Sequence, residues 1–314
     1  MQTHTDSAMA PDGCPRFFYQ WLPDDGEVRA ALHISHGMAE HGGRYARLAA
    51  ALTPLGWAVS AHDHRGHGQT TLQGPNRGLL AEDDGWALVV QDLRDMLDRT
   101  HAAWPGRPVF LLGHSMGSLI AQSLMTQGDD SVGDLAGVVL SGTNGKPPAI
   151  ATVGRLIARL ERLRLGKRGR SPILHALTFA DFNKQFAPTR TDFDWLSRDP
   201  AEVDAYIADP NCGFQCGVQT WIDLLDAIAV STTDDAQLRI PAALPVYLVA
   251  GDQDPVGEKG KSVAALASDL SRAGVKDVTL KLWEGARHEI INETNRDDVT
   301  KGIVDWLEAR VPPA

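Results

Sequence analysis

Residues 113–117 read Gly-His-Ser-Met-Gly, directly after the apolar run Val109–Leu112 and before the helical pattern Leu119–Gln127. A chain that passes from strand to helix in so few residues must turn sharply. A side chain at Gly113 or Gly117 would collide with the neighbouring strand or helix, so the glycines are steric permissions for one serine at the apex. That serine, Ser115, is expected in strained backbone geometry with its Oγ exposed. The helix behind it aims its N-terminal N–H groups at charge developing beside that oxygen. A bare G-x-S-x-G arises often by chance, but a strand before it and a helix after it dictate a strand–elbow–helix unit.

The rest of the chain repeats that alternation. Phe17–Trp21, Arg29–Ser35, Trp57–Ala61, Val109–Leu112, Gly137–Ser141, Val246–Ala250 and Val278–Trp283 read as strands. Between them Tyr45–Leu55, Trp86–Thr100, Leu119–Gln127, Ser262–Arg272 and Asp298–Arg310 read as helices; in the second, Val89, Leu93, Met96 and Leu97 form one apolar face. The expectation is an α/β fold, a mostly parallel sheet covered by helices on both sides.

The alternation stops after Thr143 and resumes near Pro245. The stretch between shows no buried strand, which divides the chain into a core of 1–144 and 239–314 and a helical cap, 145–238, inserted over the sheet. Eight of the twenty aromatic residues fall in this cap, including Phe179, Phe182, Phe186 and Phe214, so it carries an apolar surface. Those four are candidates for a substrate wall; the alternative is a core of the cap itself. Arg155–Arg170 (RLIARLERLRLGKRGR) holds seven basic residues and one acid in a chain of net charge −10, with Leu156, Ile157, Leu160 and Leu163 at helical spacing. This basic amphipathic helix reads as a cap helix with a solvated face, or as a peripheral contact with anionic lipid.

A serine hydroxyl is a poor nucleophile and needs a base held by a third group. His288 is the only histidine after residue 175, and it follows the last strand, in Glu284-Gly285-Ala286-Arg287-His288. Two carboxylates, Asp252 and Asp254, follow the strand Val246–Ala250. Asp252 lies against the strand end and reads as a brace; Asp254, further out, is the favoured acid, with Asp252 its competitor. Sites of open parallel sheets gather at these C-terminal strand ends. A tetrahedral oxyanion also needs main-chain donors, for which the N–H of Met116 and that of Met38, after His36-Gly37, are the candidates.

Other features narrow the field. The negative charge argues against a nucleic-acid partner, since phosphate neutralisation requires a basic surface. Three cysteines, Cys14, Cys212 and Cys216, make no disulfide framework. The N-terminus lacks the apolar stretch of a signal peptide, so a cytoplasmic location is expected. His62-Asp63-His64-Arg65-Gly66-His67 has the spacing of metal ligands, but Gly66 stands where a dinuclear metallo-hydrolase has aspartate, and the run reads as a polar loop pinned by Asp63 and Arg65. Acyl transfer by serine requires no metal or organic cofactor.

Taken together, HGMAEHGGRY, DHRGHGQT, GHSMGS, GDQDPVGEKG and EGARHEIINE resemble the α/β-hydrolase superfamily, and within it the monoacylglycerol lipase and lysophospholipase group of serine hydrolases. The resemblance covers about residues 17–144 and 241–312. It implies an α/β-hydrolase fold, Ser115 as nucleophile, Asp254 as acid, His288 as base, and Met38 and Met116 N–H as the oxyanion hole. It implies a serine esterase acting on a small ester with a single acyl chain. A different small ester, an amide or an N-terminal peptide bond is the second reading, and a non-catalytic ligand receptor the third.

Overall fold

The computed structural model describes residues 1–71, 76–128, 130–148 and 151–311. Eight strands form one sheet: β1 Gln2–Met9, β2 Pro15–Leu22, β3 Ala30–Ser35, β4 Trp57–His62, β5 Val109–His114, β6 Leu135–Ser141, β7 Val246–Gly251 and β8 Val278–Trp283. Their order is β1-β2-β4-β3-β5-β6-β7-β8. β1, β2 and β4 pair antiparallel, and every pair from β4 to β8 is parallel.

The helices of six or more residues are α1 Ala46–Leu52, α2 Gly85–Ala103, α3 Met116–Met125, α4 Ala151–Leu165, α5 Pro172–Leu177, α6 Phe179–Lys184, α7 Pro200–Ala208, α8 Val218–Ser231, α9 Lys261–Arg272 and α10 Arg296–Glu308. Side chains alternate across a strand, and the two sheet faces bury different sets. Val109 and Leu111 of β5 pack in one cluster with Leu93 of α2, Ile120 of α3 and Leu266 of α9. Phe110 and Leu112 pack in the other, with Leu48 of α1 and Ile303 of α10. The central strands are buried throughout, which explains why their sequences read as apolar runs rather than alternating ones.

β1 departs from the sequence reading, which began the sheet at Phe17. Its sequence, QTHTDSAM, has no apolar periodicity and all but one of its residues are exposed. Backbone pairing with β2, in register from Gln2↔Leu22 to Met9↔Pro15, makes the strand. A side-chain pattern cannot report that.

Between β6 and β7 the described residues form helices and no strand. Ser171 caps α5 by accepting from Leu174 N, and Asp199 caps α7 by accepting from Ala201 N; a proline follows each at N1. α4 ends at Leu165, before Gly166 with φ 74°, so the basic helix is shorter than Arg155–Arg170. Its orientation is also the reverse of a buried leucine stripe. Ala158 faces the protein, while Leu156, Leu160 and Leu163 are 59%, 57% and 81% exposed. The arginines turn inward: Arg155 and Arg159 bind Asp226 of α8 at 2.7 Å, and Arg162 binds Gln219 at 3.0 Å. Among the described residues no helix is long and apolar enough to cross a membrane.

Candidate active site

Ser115 sits between β5 and α3 with φ 49° and ψ −119°, a conformation that costs a non-glycine residue about 1–3 kcal/mol. The flanking glycines show what forces it. A Cβ on Gly113 would lie 2.6 Å from Gly117 O, and one on Gly117 would lie 2.0 Å from Ser35 O. β3 and β5 are adjacent parallel strands, so the elbow is pressed against the end of β3.

Three more strand ends supply its neighbours. Asp254 follows β7 and is fully buried; its Oδ1 accepts from Val256 N at 2.9 Å, and its Oδ2 lies 2.9 Å from His288 Nδ1. Asp252 points elsewhere, its Oδ1 accepting from Gly285 N at 2.8 Å and bracing the turn after β8. His288 follows that turn, buried beside Trp195 with ring centroids 5.0 Å apart. Burial depresses its proton affinity, but Asp254, then Glu289 and Glu40, outweigh this and raise its pKa above the usual 6.5. Ser115 and His288 line one cavity without a hydrogen bond between their side chains among those described; contacts of this kind tighten when substrate binds.

Met38 follows β3 and Met116 opens α3; neither N–H has a protein acceptor among the described residues. The Met38 peptide is held firmly. His36 Nε2 accepts the His64 N–H at 2.9 Å, which places its proton on Nδ1, and Nδ1 donates to Gly37 O at 2.8 Å. Gly37 C=O and Met38 N–H share one planar peptide unit, so His36 sets the direction of that N–H. Burial keeps His36 neutral, its pKa well below 6.5.

Two cavities meet at Ser115. One is lined by Gly37, Glu40, His114, His175, Phe193, Tyr206, Phe214, Gln215, His288 and Glu289. The other is walled by Met116, Leu119, Phe182, Trp221, Leu224, Leu225, Ile228 and Val256. Met38, Ser115, Phe179 and Trp195 line both. Of the four candidate phenylalanines, Phe179, Phe182 and Phe214 therefore border the cavities. Phe186 lines neither; it lies under Arg287, whose guanidinium carbon is 4.1 Å from the ring centre.

Two groups of metal-ligand type have other uses. His62 lies against His33, His64 against Ser35, and His67 Nδ1 lies 2.8 Å from Arg65 O. Asp63 accepts from Gly42 N and Gln69 N, and Arg65 grips Asp92, so this loop is built from within. His41, Asp209 and Cys212 form the sole trio of ligand atoms within 4.8 Å among the described residues. There His41 Nδ1 accepts from Gly43 N, so Nε2 carries the proton and donates to Asp209 Oδ2 at 2.9 Å. That nitrogen offers a metal no lone pair, and burial pushes the Cys212 thiol further from ionisation. The pair is a strap between two loops.

The sequence reading missed Glu40, Arg44 and Glu289, a buried ionic cluster beside the site. Arg44 Nη1 and Nη2 donate to Glu289 at 2.7 Å, and Nη1 also donates to Glu40 at 2.7 Å. Their sequence signal is weak, because the partners lie in distant segments and each residue alone reads as surface charge.

Residues 26–295 match the family Hydrolase_4, described as serine aminopeptidase, S33. Human monoglyceride lipase is 34% identical over 311 residues, covering 96% of this chain and 90% of that protein. The monoacylglycerol lipase of Mycolicibacterium smegmatis is 29% identical, covering 97% and 99%. A highly thermostable carboxyl esterase from Bacillus coagulans, solved in complex with glycerol, is similar at a TM-score of 0.89 and 27% identity, with 99% of this chain and 100% of that one covered.

Proposed function

Since the chain belongs to the Hydrolase_4 family of serine hydrolases, we propose that it cleaves carboxylic esters bearing one acyl chain, of the monoacylglycerol or lysophospholipid kind, through an acyl-enzyme on Ser115. The observation that carries this reading is the junction of an apolar and a more polar cavity at the Ser115 hydroxyl. The acyl chain takes the apolar side, and the alcohol the side with His175 and Gln215.

His288, its Nδ1 proton held by Asp254, takes the Ser115 proton on Nε2. Oγ then attacks the ester carbonyl, and the oxyanion is received by the N–H groups of Met38 and Met116. His288 returns the proton to the leaving alcohol, and water repeats the sequence on the acyl-enzyme. An aminopeptidase would need a free carboxylate for the substrate amine. The cavity carboxylates, Glu40 and Glu289, are both engaged by Arg44, which favours the ester.

Labelling with a fluorophosphonate, followed by a panel of p-nitrophenyl esters, monoacylglycerols, lysophospholipids and aminoacyl amides, tests the proposal. Ser115 should label and long-chain monoacylglycerols or lysophospholipids should turn over best. No labelling, or a preference for aminoacyl amides, overturns it.

The exposed stripe of α4 supports a peripheral contact with lipid surfaces. Val153, Leu156, Leu160 and Leu163 are exposed, as are Ile173 and Leu177 of α5, while α6 carries the cavity residues Phe179 and Phe182. Five of the seven basic residues, Arg155, Arg159, Arg164, Lys167 and Arg168, are paired with acids, which favours an apolar contact over a purely electrostatic one. The triple change Leu156→Ser, Leu160→Ser and Leu163→Ser should lower hydrolysis of vesicle-borne monoacylglycerol and spare a soluble short-chain ester. Equal loss on both would refute it.

A further inference from the structure

The proposed oxyanion donor Met38 and base His288 come from separate loops, after β3 and after β8. A part-buried cation joins those loops. Arg44 lies on the turn Gly42–Tyr45 and binds Glu40 with Nη1 and both oxygens of Glu289 with its fork. Glu40 Oε1 also accepts Gly37 N–H at 2.5 Å and Tyr45 O–H at 2.9 Å; Glu289 Oε2 also accepts from Asn292 Nδ2 at 3.0 Å. All four carboxylate oxygens are thus satisfied, although Glu40 and Glu289 are only 3% and 4% exposed. Apolar packing could anchor two loops without the cost of burying charge. Forked, directional bonds are worth that cost where orientation matters.

We infer that Arg44 is a positioning residue for the reaction: through Glu40 it holds the segment carrying the Met38 N–H, through Glu289 the loop carrying His288, and so keeps oxyanion donor and base in one frame. The inference rests on the ester-hydrolase reading and deepens it. Glu40 sits two residues after Met38 and grips the peptide N–H of Gly37, immediately before it. Glu289 is covalently next to His288 and its own N–H donates to Leu196 O at 2.8 Å, so Arg44 acts on a loop already fastened on its other side.

The test compares wild type, Arg44→Lys, Arg44→Gly and Glu289→Gln on a soluble p-nitrophenyl ester and on fluorophosphonate labelling. Lysine keeps the charge but lacks the fork. Arg44→Lys should lower kcat about 10- to 100-fold, with KM within about threefold and the labelling rate falling in parallel. Millimolar methylguanidinium, but not methylammonium, should restore activity to Arg44→Gly. If Arg44→Gly fails to fold, Arg44→Lys and Glu289→Gln carry the test, each checked by near-UV circular dichroism.

Glu289→Gln should lower kcat and move the acid limb to lower pH. His288 is faced by Asp254, Glu289, Glu40 and His114, and the substitution removes one of the negative charges that raise its pKa. A folded Arg44→Lys with kcat and labelling rate within about twofold of wild type overturns the inference. Failure of wild type itself to label overturns the ester-hydrolase reading beneath it.

Discussion

Lowering the pH from 7.5 to 5 should strongly destabilise this protein, and histidines set the magnitude. His33, His36, His62, His64, His67 and His114 are all buried. Burial lowers the pKa of His33 to about 3 and those of His67 and His114 to about 4. It holds His36, His62 and His64 well below 6.5, with neighbouring histidines adding to the effect. Their folded pKa values lie below the unfolded one. Each therefore contributes its full stability above pH 6.5 and loses it as the unfolded chain takes up protons that the fold refuses. At pH 5 a histidine kept neutral in the fold costs about 2 kcal/mol relative to pH 7.5. His33, His67 and His114 together cost about 6 kcal/mol, and His36, His62 and His64 act in the same direction; the whole stability of a typical domain is about 5–15 kcal/mol. His288, whose pKa is raised, offsets a small part. Urea unfolding followed by circular dichroism at pH 5 and 7.5 measures the difference directly. A change under about 2 kcal/mol would refute the reasoning, because the fold would then be accepting protons at these rings.

Two further outcomes follow from the site. Asp254→Asn should reduce kcat about 10⁴-fold by releasing the His288 tautomer, whereas Asp252→Asn, which loosens only the Gly285 turn, should retain most activity; steady-state kinetics on one soluble ester decides it. Because the neutral form of His288 is the base and its pKa is raised, ester hydrolysis should be half-maximal above pH 6.5 and rise on the alkaline side. A pH–rate profile already flat from pH 6 upward would contradict that.

The elbow was legible because its constraint is local. The clash at Gly117 comes from Ser35 O, yet the glycine requirement shows in five consecutive residues. The parallel strands were legible because burial on both faces leaves an apolar run. β1 was not, since its exposed polar residues carry no such mark and only pairing with β2 makes it a strand. Asp252 and Asp254 are alike in sequence; two residues along the loop turn one toward Gly285 N and the other toward His288.

The cap divides in the same way. Its helical character and aromatic content could be read from composition and spacing. Which way α4 faced could not, because leucines and arginines occupy the helix at compatible spacings and either set can be turned inward. Asp226 and Gln219 on α8 decided the matter by binding the arginines.

Sequence by itself determined the α/β architecture, the elbow serine and the single histidine available after residue 175, since each depends on residue type and near neighbours. Only the tertiary structure decided which aspartate meets His288, where the leucines of α4 point, and that Arg44 bridges Glu40 and Glu289. Those outcomes depend on directions in space between segments far apart in the chain, and residue order carries no direct record of them.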